Sequence, residues 1–211
     1  MLLNKHNLNI AKLALKKNSQ FTLNEIQVTP DETVVTDGHL LMSVSTLPTP
    51  AAEFPHTDAV DKWKPFNLAS DKALKAASEL PNKPAVPVLA CASVIPIADK
   101  FAVVTTDLEV TRTWPAQENS NFPDYKRVIP NPDTMPFVIG IDARKLHALL
   151  SQFIALKNAE STEAPATVVF RFTNAHSAIR MDAHTDNQTM VGVLMPLRVD
   201  GTTNKIWEEG K

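Results

Sequence analysis

Three times along this chain, a helix of about three turns is followed by two or three short strand-forming runs, and this repetition limits the possible folds most. In the first copy, Leu8, Ala11 and Leu15 share one face of a predicted helix over Asn7–Lys17. Phe21–Val28 and Thr33–Ser45 then read as strands, the second hinged at Asp37-Gly38. The second copy opens on the short strand Phe66–Leu68, with Ser70 as the expected N-cap of a helix over Asp71–Leu80 that Pro81 stops. Val86–Ile97 and Phe101–Thr113 follow as strands about the turn Ala98-Asp99-Lys100. The third copy opens on Phe137–Ile141. Asp142 caps a helix over Ala143–Lys157, and strands follow at Thr167–Thr173, Ser177–His184 and Thr189–Leu197. Copies spaced by roughly 65 residues are too long and too unequal for a solenoid. They predict an α+β protein with helices covering one face of antiparallel sheets.

Five glycines against sixteen prolines fit well-bounded elements rather than flexible linkers. No apolar run approaches the roughly 18 residues that cross a bilayer, and the start lacks a signal-peptide layout. With Cys91 as the only cysteine, an internal disulfide is impossible. A reducing cytoplasm is therefore the expected compartment. The segment Thr46–Lys64 reads as a loop, and the residues after Arg198 as a polar tail.

The formal charge of −2 hides a segregation. The first predicted helix carries Lys12, Lys16 and Lys17 without an acid, and Arg144, Lys145 and Lys157 outnumber Asp142 in the third. Lys72 and Lys75 balance Asp71 and Glu79 in the second. Asn9, Lys12 and Lys16 would share one face. Such a face can be an ordinary solvated surface, or it can track phosphates without reading sequence.

Enzymatic signatures are lacking. Asp37 and His39 sit at a turn, no serine occupies a nucleophile elbow, and Cys91 lies in an apolar run. The six histidines show no metal-ligand spacing, and no phosphate-binding glycine loop exists. Trp63, Trp114 and Trp207 suit packing better than base stacking. No catalytic residue, metal or cofactor is therefore expected.

Phe122–Pro130 (Phe-Pro-Asp-Tyr-Lys-Arg-Val-Ile-Pro) holds the only tyrosine, Tyr125, beside Lys126 and Arg127. Its prolines impose an extended path, so it is expected to lie against a surface. This segment resembles the connector between the second and third domains of the bacterial DNA polymerase III β sliding clamp. Val34–Leu41 (Val-Val-Thr-Asp-Gly-His-Leu-Leu) resembles that family's middle-domain strand-turn, and Val193–Arg198 its C-terminal strand. Leu40 departs from the family pattern, which has a basic residue after the histidine.

The resemblance implies a processivity-clamp fold of repeated β-α-β-β-β units and a homo-oligomer that encircles double-stranded DNA. DNA-facing residues would be Lys12, Lys16, Lys72, Lys75, Arg144 and Lys145. It also implies a hydrophobic pocket for short peptides of polymerase, clamp loader or repair proteins. Leu23, Thr36, Gly38, His39 and Leu41 would form one wall. Pro123, Arg127 and Val128 would form the connector side, and Val193, Met195, Pro196, Leu197 and Arg198 the C-terminal side. The expected organisation is a two-unit domain over 1–118, a connector over 119–134, a third unit over 135–199 and a tail over 200–211. The bacterial clamp has six units per chain and twelve per ring. Three units here admit a four-chain ring, a dimer through paired half domains, or a trimer if one degenerate unit has escaped notice. A truncated adaptor or decoy that binds such peptides without encircling DNA is the alternative function. Ile206 and Trp207 on the tail could also fold back into the pocket.

Overall fold

The computed structural model describes residues 1–14, 23–47, 64–97, 100–117, 121–131, 138–158, 166–184 and 188–199. Lys16, Trp63, Ile206, Trp207 and nearly all of the expected loop 46–64 lie outside them. The chain divides into two compact units, Met1–Ile129 and Pro130–Lys211.

The first unit contains two β-α-β-β-β repeats. One comprises β1 (Leu2–Asn4), α1 (Lys5–Asn9), β2 (Glu25–Val28), β3 (Glu32–Thr36) and β4 (Leu41–Ser45). The other comprises β5 (Phe66–Ala69), α2 (Ser70–Glu79), β6 (Cys91–Ile97), β7 (Lys100–Thr106) and β8 (Thr111–Pro115). Each repeat gives its first strand to the other's sheet. The two four-stranded orders are β1-β6-β7-β8 and β4-β3-β2-β5, with every pairing antiparallel. Neither repeat can therefore fold its sheet alone.

Between the sheets and the helices, Leu3, Leu8, Ile26, Leu68 and Val103 are wholly buried in one core. Each such aliphatic side chain contributes about 1.5–3 kcal/mol. The α2 side of this core is Ala73, Ala76, Ala77 and Leu80, the i, i+3, i+4, i+7 stripe. Small alanines let α1 and α2 pack against each other, and Lys5 Nζ donates to the carbonyl of Leu80 (2.8 Å) at the C-terminal end of α2. A cation there satisfies an orphan carbonyl and complements the helix dipole.

The predicted helix over Asn7–Lys17 is replaced by a shorter one. Asn4, not a residue near Asn7, is the N-cap. Its side chain accepts from the N–H groups of His6 (2.8 Å) and Asn7 (3.0 Å). The Asn7 side-chain oxygen accepts from the Asn4 N–H (3.0 Å), closing a capping box. Asn7 Nδ2 reaches on to Thr33 Oγ1 and to the carbonyls of Val44 and Ser45, which pins α1 to β3 and β4. After Asn9 the chain tightens into a 3₁₀ turn over Ile10–Leu13, and Ala14 is extended.

Two strand expectations also change. Residues Pro87–Ala90 form a 3₁₀ turn, so β6 begins only at Cys91. The expected single strand Phe101–Thr113 is a hairpin, β7 and β8 joined through Asp107–Val110. The expected cap Ser70 is instead the first residue of α2. Its N–H donates to the Asn24 carbonyl (3.0 Å), while its buried Oγ has no hydrogen-bond partner.

The second unit contains α3 (Ala143–Asn158) on a three-stranded sheet of β9 (Val169–Arg171), β10 (Ile179–His184) and β11 (Thr189–Leu194), ordered β11-β10-β9. Asp142 caps α3 as expected, accepting from the N–H groups of Arg144 (2.9 Å) and Lys145 (3.3 Å). Phe153 fills the centre of the core against Ile179, Met181, Ala183 and Leu194. Gly192 leaves it room: a Cβ there would lie 3.0 Å from the Phe153 ring. On the opposite face of the sheet, the buried carboxylate of Asp182 is held by Arg180 (2.8 Å) and Arg171. Hydrogen bonding to Arg180 holds this carboxyl below the usual range.

Candidate functional site

The turn Thr36–Leu40 is built by side-chain capping. Asp37 Oδ1 accepts from the N–H groups of His39 and Leu40, both at 2.8 Å, and these bonds hold its carboxyl below the ordinary range. Thr36 Oγ1 accepts from the Gly38 N–H (3.1 Å) and donates to the Leu40 carbonyl (2.6 Å). Gly38 has φ +93°, which L side chains rarely adopt, and a Cβ there would lie 3.6 Å from Leu23. Leu23 and Gly38 are therefore neighbours, with Thr36 buried beneath the turn and His39 exposed on it. Asp37 is occupied in shaping the backbone.

The same construction recurs seventy positions on, where Asp107 Oδ1 accepts from the N–H groups of Glu109 (3.0 Å) and Val110 (2.7 Å). Leu108 stands at the Gly38 position with φ +79°, its N–H bonded to Thr106 Oγ1 (3.1 Å). A third Asx turn uses Asn174, which accepts from His176 (2.9 Å) and Ser177 (2.8 Å), here between the first and second strands after the helix. The recurrence of Thr-Asp and Thr-Asn at these turns was the signal that could have split Phe101–Thr113 from sequence.

The connector does lie against a surface. Tyr125 is buried in a short 3₁₀ turn over Tyr125–Val128, and its hydroxyl donates to Glu32 Oε1 (2.6 Å) at the start of β3. The other Glu32 oxygen accepts from Ser43. These two bonds hold the Glu32 carboxyl low, and burial beside Glu32 pushes the Tyr125 phenol far above its ordinary range. Phe122 packs edge-on against the Tyr125 ring. Arg127 and Val128 are exposed, Val128 at 68%, and Arg127 pairs with Asp124 at 2.8 Å.

In the second unit, Met195, Pro196, Leu197 and Arg198 line an open concavity of about 400 Å³ together with Ala175 and His176. The last two were not anticipated; they arrive through the Asn174 turn. The Leu197 N–H donates to the Gly140 carbonyl (2.8 Å), fixing this segment beside the entry to α3. A Cβ on Gly140 would lie 2.9 Å from the Leu197 carbonyl oxygen, so only glycine fits. Val193 is exposed on β11.

Of the anticipated basic residues, Lys12 is exposed on the 3₁₀ turn. It borders a concavity of about 540 Å³ that Ala11, Ala14, Asn24, Ser70, Asp71 and Leu74 also line. Ala14 is extended, so the continuous helical face expected through Asn9 and Lys12 stops before it, and Lys16 lies outside the described residues. Lys75 pairs with Asp71 (3.7 Å) and Lys145 with Asp142 (4.0 Å), while Arg144 is exposed and Lys72 half-buried. No helix among the described residues is long and apolar enough to cross a membrane.

At the level of sequence, no family model and no curated protein matches. Solved structures do. The DNA polymerase sliding clamp of Pseudomonas aeruginosa superposes with a TM-score of 0.65 at 16% identity, over 93% of this chain and 50% of that one. A Eubacterium rectale protein described as a putative DNA polymerase III β subunit gives 0.59 at 10% identity, and the C. crescentus β sliding clamp 0.57 at 13%, with the same coverages. The chain thus spans about half the length of the clamps it matches. Over the half of those chains that it matches, it has the α+β fold of the DNA polymerase III β sliding clamp.

Proposed function

We propose that this chain is a clamp-type processivity protein. It holds duplex DNA through basic helix residues without reading sequence, and it recruits polymerase, loader or repair proteins through short peptides. The observation that carries this reading is the open concavity at Met195–Arg198 and His176 on a sliding-clamp fold. Methionine, proline and leucine accept an apolar anchor, and Arg198 and His176 offer donors to a peptide backbone or glutamine. In this reading Leu23, Thr36, Gly38, His39 and Leu41, with Pro123, Arg127, Val128 and Val193, complete the peptide site. Lys12, Lys16, Lys72, Lys75, Arg144 and Lys145 meet phosphates. The protein acts as a tether and not as a catalyst, in the cytoplasm.

Fluorescence polarisation with a labelled clamp-binding peptide tests the pocket. Replacing Arg127 and Met195 together by alanine abolishes binding in this reading; unchanged affinity overturns it.

The alternative reading is an adaptor or decoy that keeps the peptide pocket without surrounding DNA. Retention on circular DNA that is lost on linearisation supports the clamp. Peptide binding without any such topological retention supports the adaptor.

A further inference from the structure

The face of the β11-β10-β9 sheet that turns away from the Phe153 core is organised around a single carboxylate. Along β10, Ile179, Met181 and Ala183 enter the core, so Arg180 and Asp182 stand on the other face. Asp182 lies opposite Val169 on β9 and Val191 on β11, while Arg180 lies opposite Arg171 and Val193. A row of valine, aspartate and valine thus runs beside a row of arginine, arginine and valine. The Asp182 side chain is only 4% exposed. Its Oδ1 accepts from Arg180 Nε (2.9 Å) and Nη2 (2.8 Å), and its Oδ2 accepts from Arg171.

Two guanidinium groups share this one carboxylate, which leaves a net positive charge, and both arginine side chains stay more than half exposed. Each guanidinium has five N–H donors, of which Asp182 takes only part. The valines around them are exposed as well, Val193 at 60%. Phosphates gain nothing from valines, whereas an extended peptide that alternates apolar and acidic side chains matches both rows. The face also runs on into the concavity already described. Val191, Val193 and Met195 alternate outward along and just beyond β11, and Met195 lines that concavity with Pro196 and Arg198. Four residues separate Met195 from Val191, about 13 Å of extended chain.

We propose that Arg171 and Arg180 select partner peptides by an acidic residue about four positions from the apolar anchor. The inference rests on the peptide-recruitment reading: the anchor sits in the Met195–Arg198 concavity, and its flank runs back along β11 over Val193 and Val191. A glutamate or aspartate of that flank accepts from the guanidinium donors that Asp182 leaves over. Asp182 is the positioning residue, since it holds both arginines in place at the surface. Charge-assisted bonds of this kind are about twice as strong as neutral ones. The valines shield them from water on either side, and they add apolar contact for the alternate residues of the flank.

The test is fluorescence polarisation of the full chain with a labelled clamp-binding peptide, unextended or extended by Val-Glu-Val-Glu, Val-Gln-Val-Gln or Val-Lys-Val-Lys. Each extension is placed at one end of the peptide and then at the other. At one end, the glutamate peptide binds about tenfold more tightly than the glutamine peptide, and the lysine peptide more weakly than both. The difference shrinks as salt rises. Arg171→Gln leaves Asp182 paired with Arg180, and Val191→Glu sets a repelling carboxylate beside them. Each variant loses most of the glutamate gain and keeps its affinity for the unextended peptide. If the unextended peptide binds and glutamate adds nothing at either end, this inference is overturned and the pocket reading stands. Equal gains from glutamate, glutamine and lysine also overturn it, as does a glutamate gain that both variants retain. Binding of no peptide overturns both readings.

Discussion

The two units of this chain use the same repeat and finish it differently. In Met1–Ile129, two repeats supply each other with a strand and a helix partner, and Lys5 of the first adds a cation at the end of α2. In Pro130–Lys211, the described residues form one repeat that encloses a smaller core around Phe153, and β9 ends their three-stranded sheet. The comparison separates what the repeat does alone from what it needs a partner to do. The closing backbone hydrogen bond (Leu47 to Leu2, Gln117 to Asn67, Leu197 to Gly140) is internal to each repeat, whereas the fourth strand of each sheet in the first unit is borrowed from the other repeat.

Five substitutions probe that difference, in order of falling effect. Asn7→Ala removes a fully buried amide that ties α1 to β3 and β4, leaving backbone groups unpaired. It should cost the first unit about 3 kcal/mol in urea unfolding, with hydrogen exchange in β9–β11 unaltered. Equal loosening of both units would show that they do not unfold independently.

Gly140→Ala attacks the closing bond of the third repeat, where a Cβ crowds the Leu197 carbonyl. A loss of about 2 kcal/mol is expected, read as faster exchange confined to the second unit. No change would mean that the bond does not close the repeat.

Tyr125→Phe removes the hydroxyl bond to Glu32 and should cost about 1 kcal/mol. As the only tyrosine, Tyr125 also reports on itself. Native protein should show tyrosinate absorbance only well above pH 10, and urea-unfolded protein near pH 10. The raised phenol value means that its contribution is complete below pH 10 and is lost at higher pH. Glu32 has the opposite sign. Its lowered carboxyl contributes above its ordinary value near 4.5, and that contribution fades as pH falls through the lower folded value.

The smallest effect lies in the twin turns. Gly38→Ala should destabilise and Leu108→Gly stabilise, each by about 0.5–1 kcal/mol, because both positions have positive φ and only one has glycine. Thermal unfolding of the two variants should shift in opposite directions.

Much of this fold was legible in the sequence. The 3.6-residue stripe of α2, the Asp37-Gly38 turn and the Asp142 cap were local signals that the structure retains. Other local signals misled, as at Ser70, which is the first residue of α2 and not its cap. The helix expected over Asn7–Lys17 looked continuous because Leu8 and Ala11 are well spaced, but the Asn4–Asn7 capping box starts it earlier, and α-helical geometry ends at Asn9. The hairpin at Leu108 lacks the glycine that marks its twin turn, and the recurring Thr-Asp pair is the signal left to find it. Strand exchange leaves no mark in either strand alone. Of the site, the three short motifs were readable as residues, whereas Ala175 and His176 reach the Met195–Arg198 concavity only through the fold.

Hydrogen exchange of the full chain with and without a saturating clamp-binding peptide tests the functional account most directly. The account predicts added protection at Thr36–Leu41, at Arg127-Val128, at Ala175-His176 and at Met195–Arg198, with none on the outer strand β8. Protection absent from all four segments while the peptide is bound would contradict it.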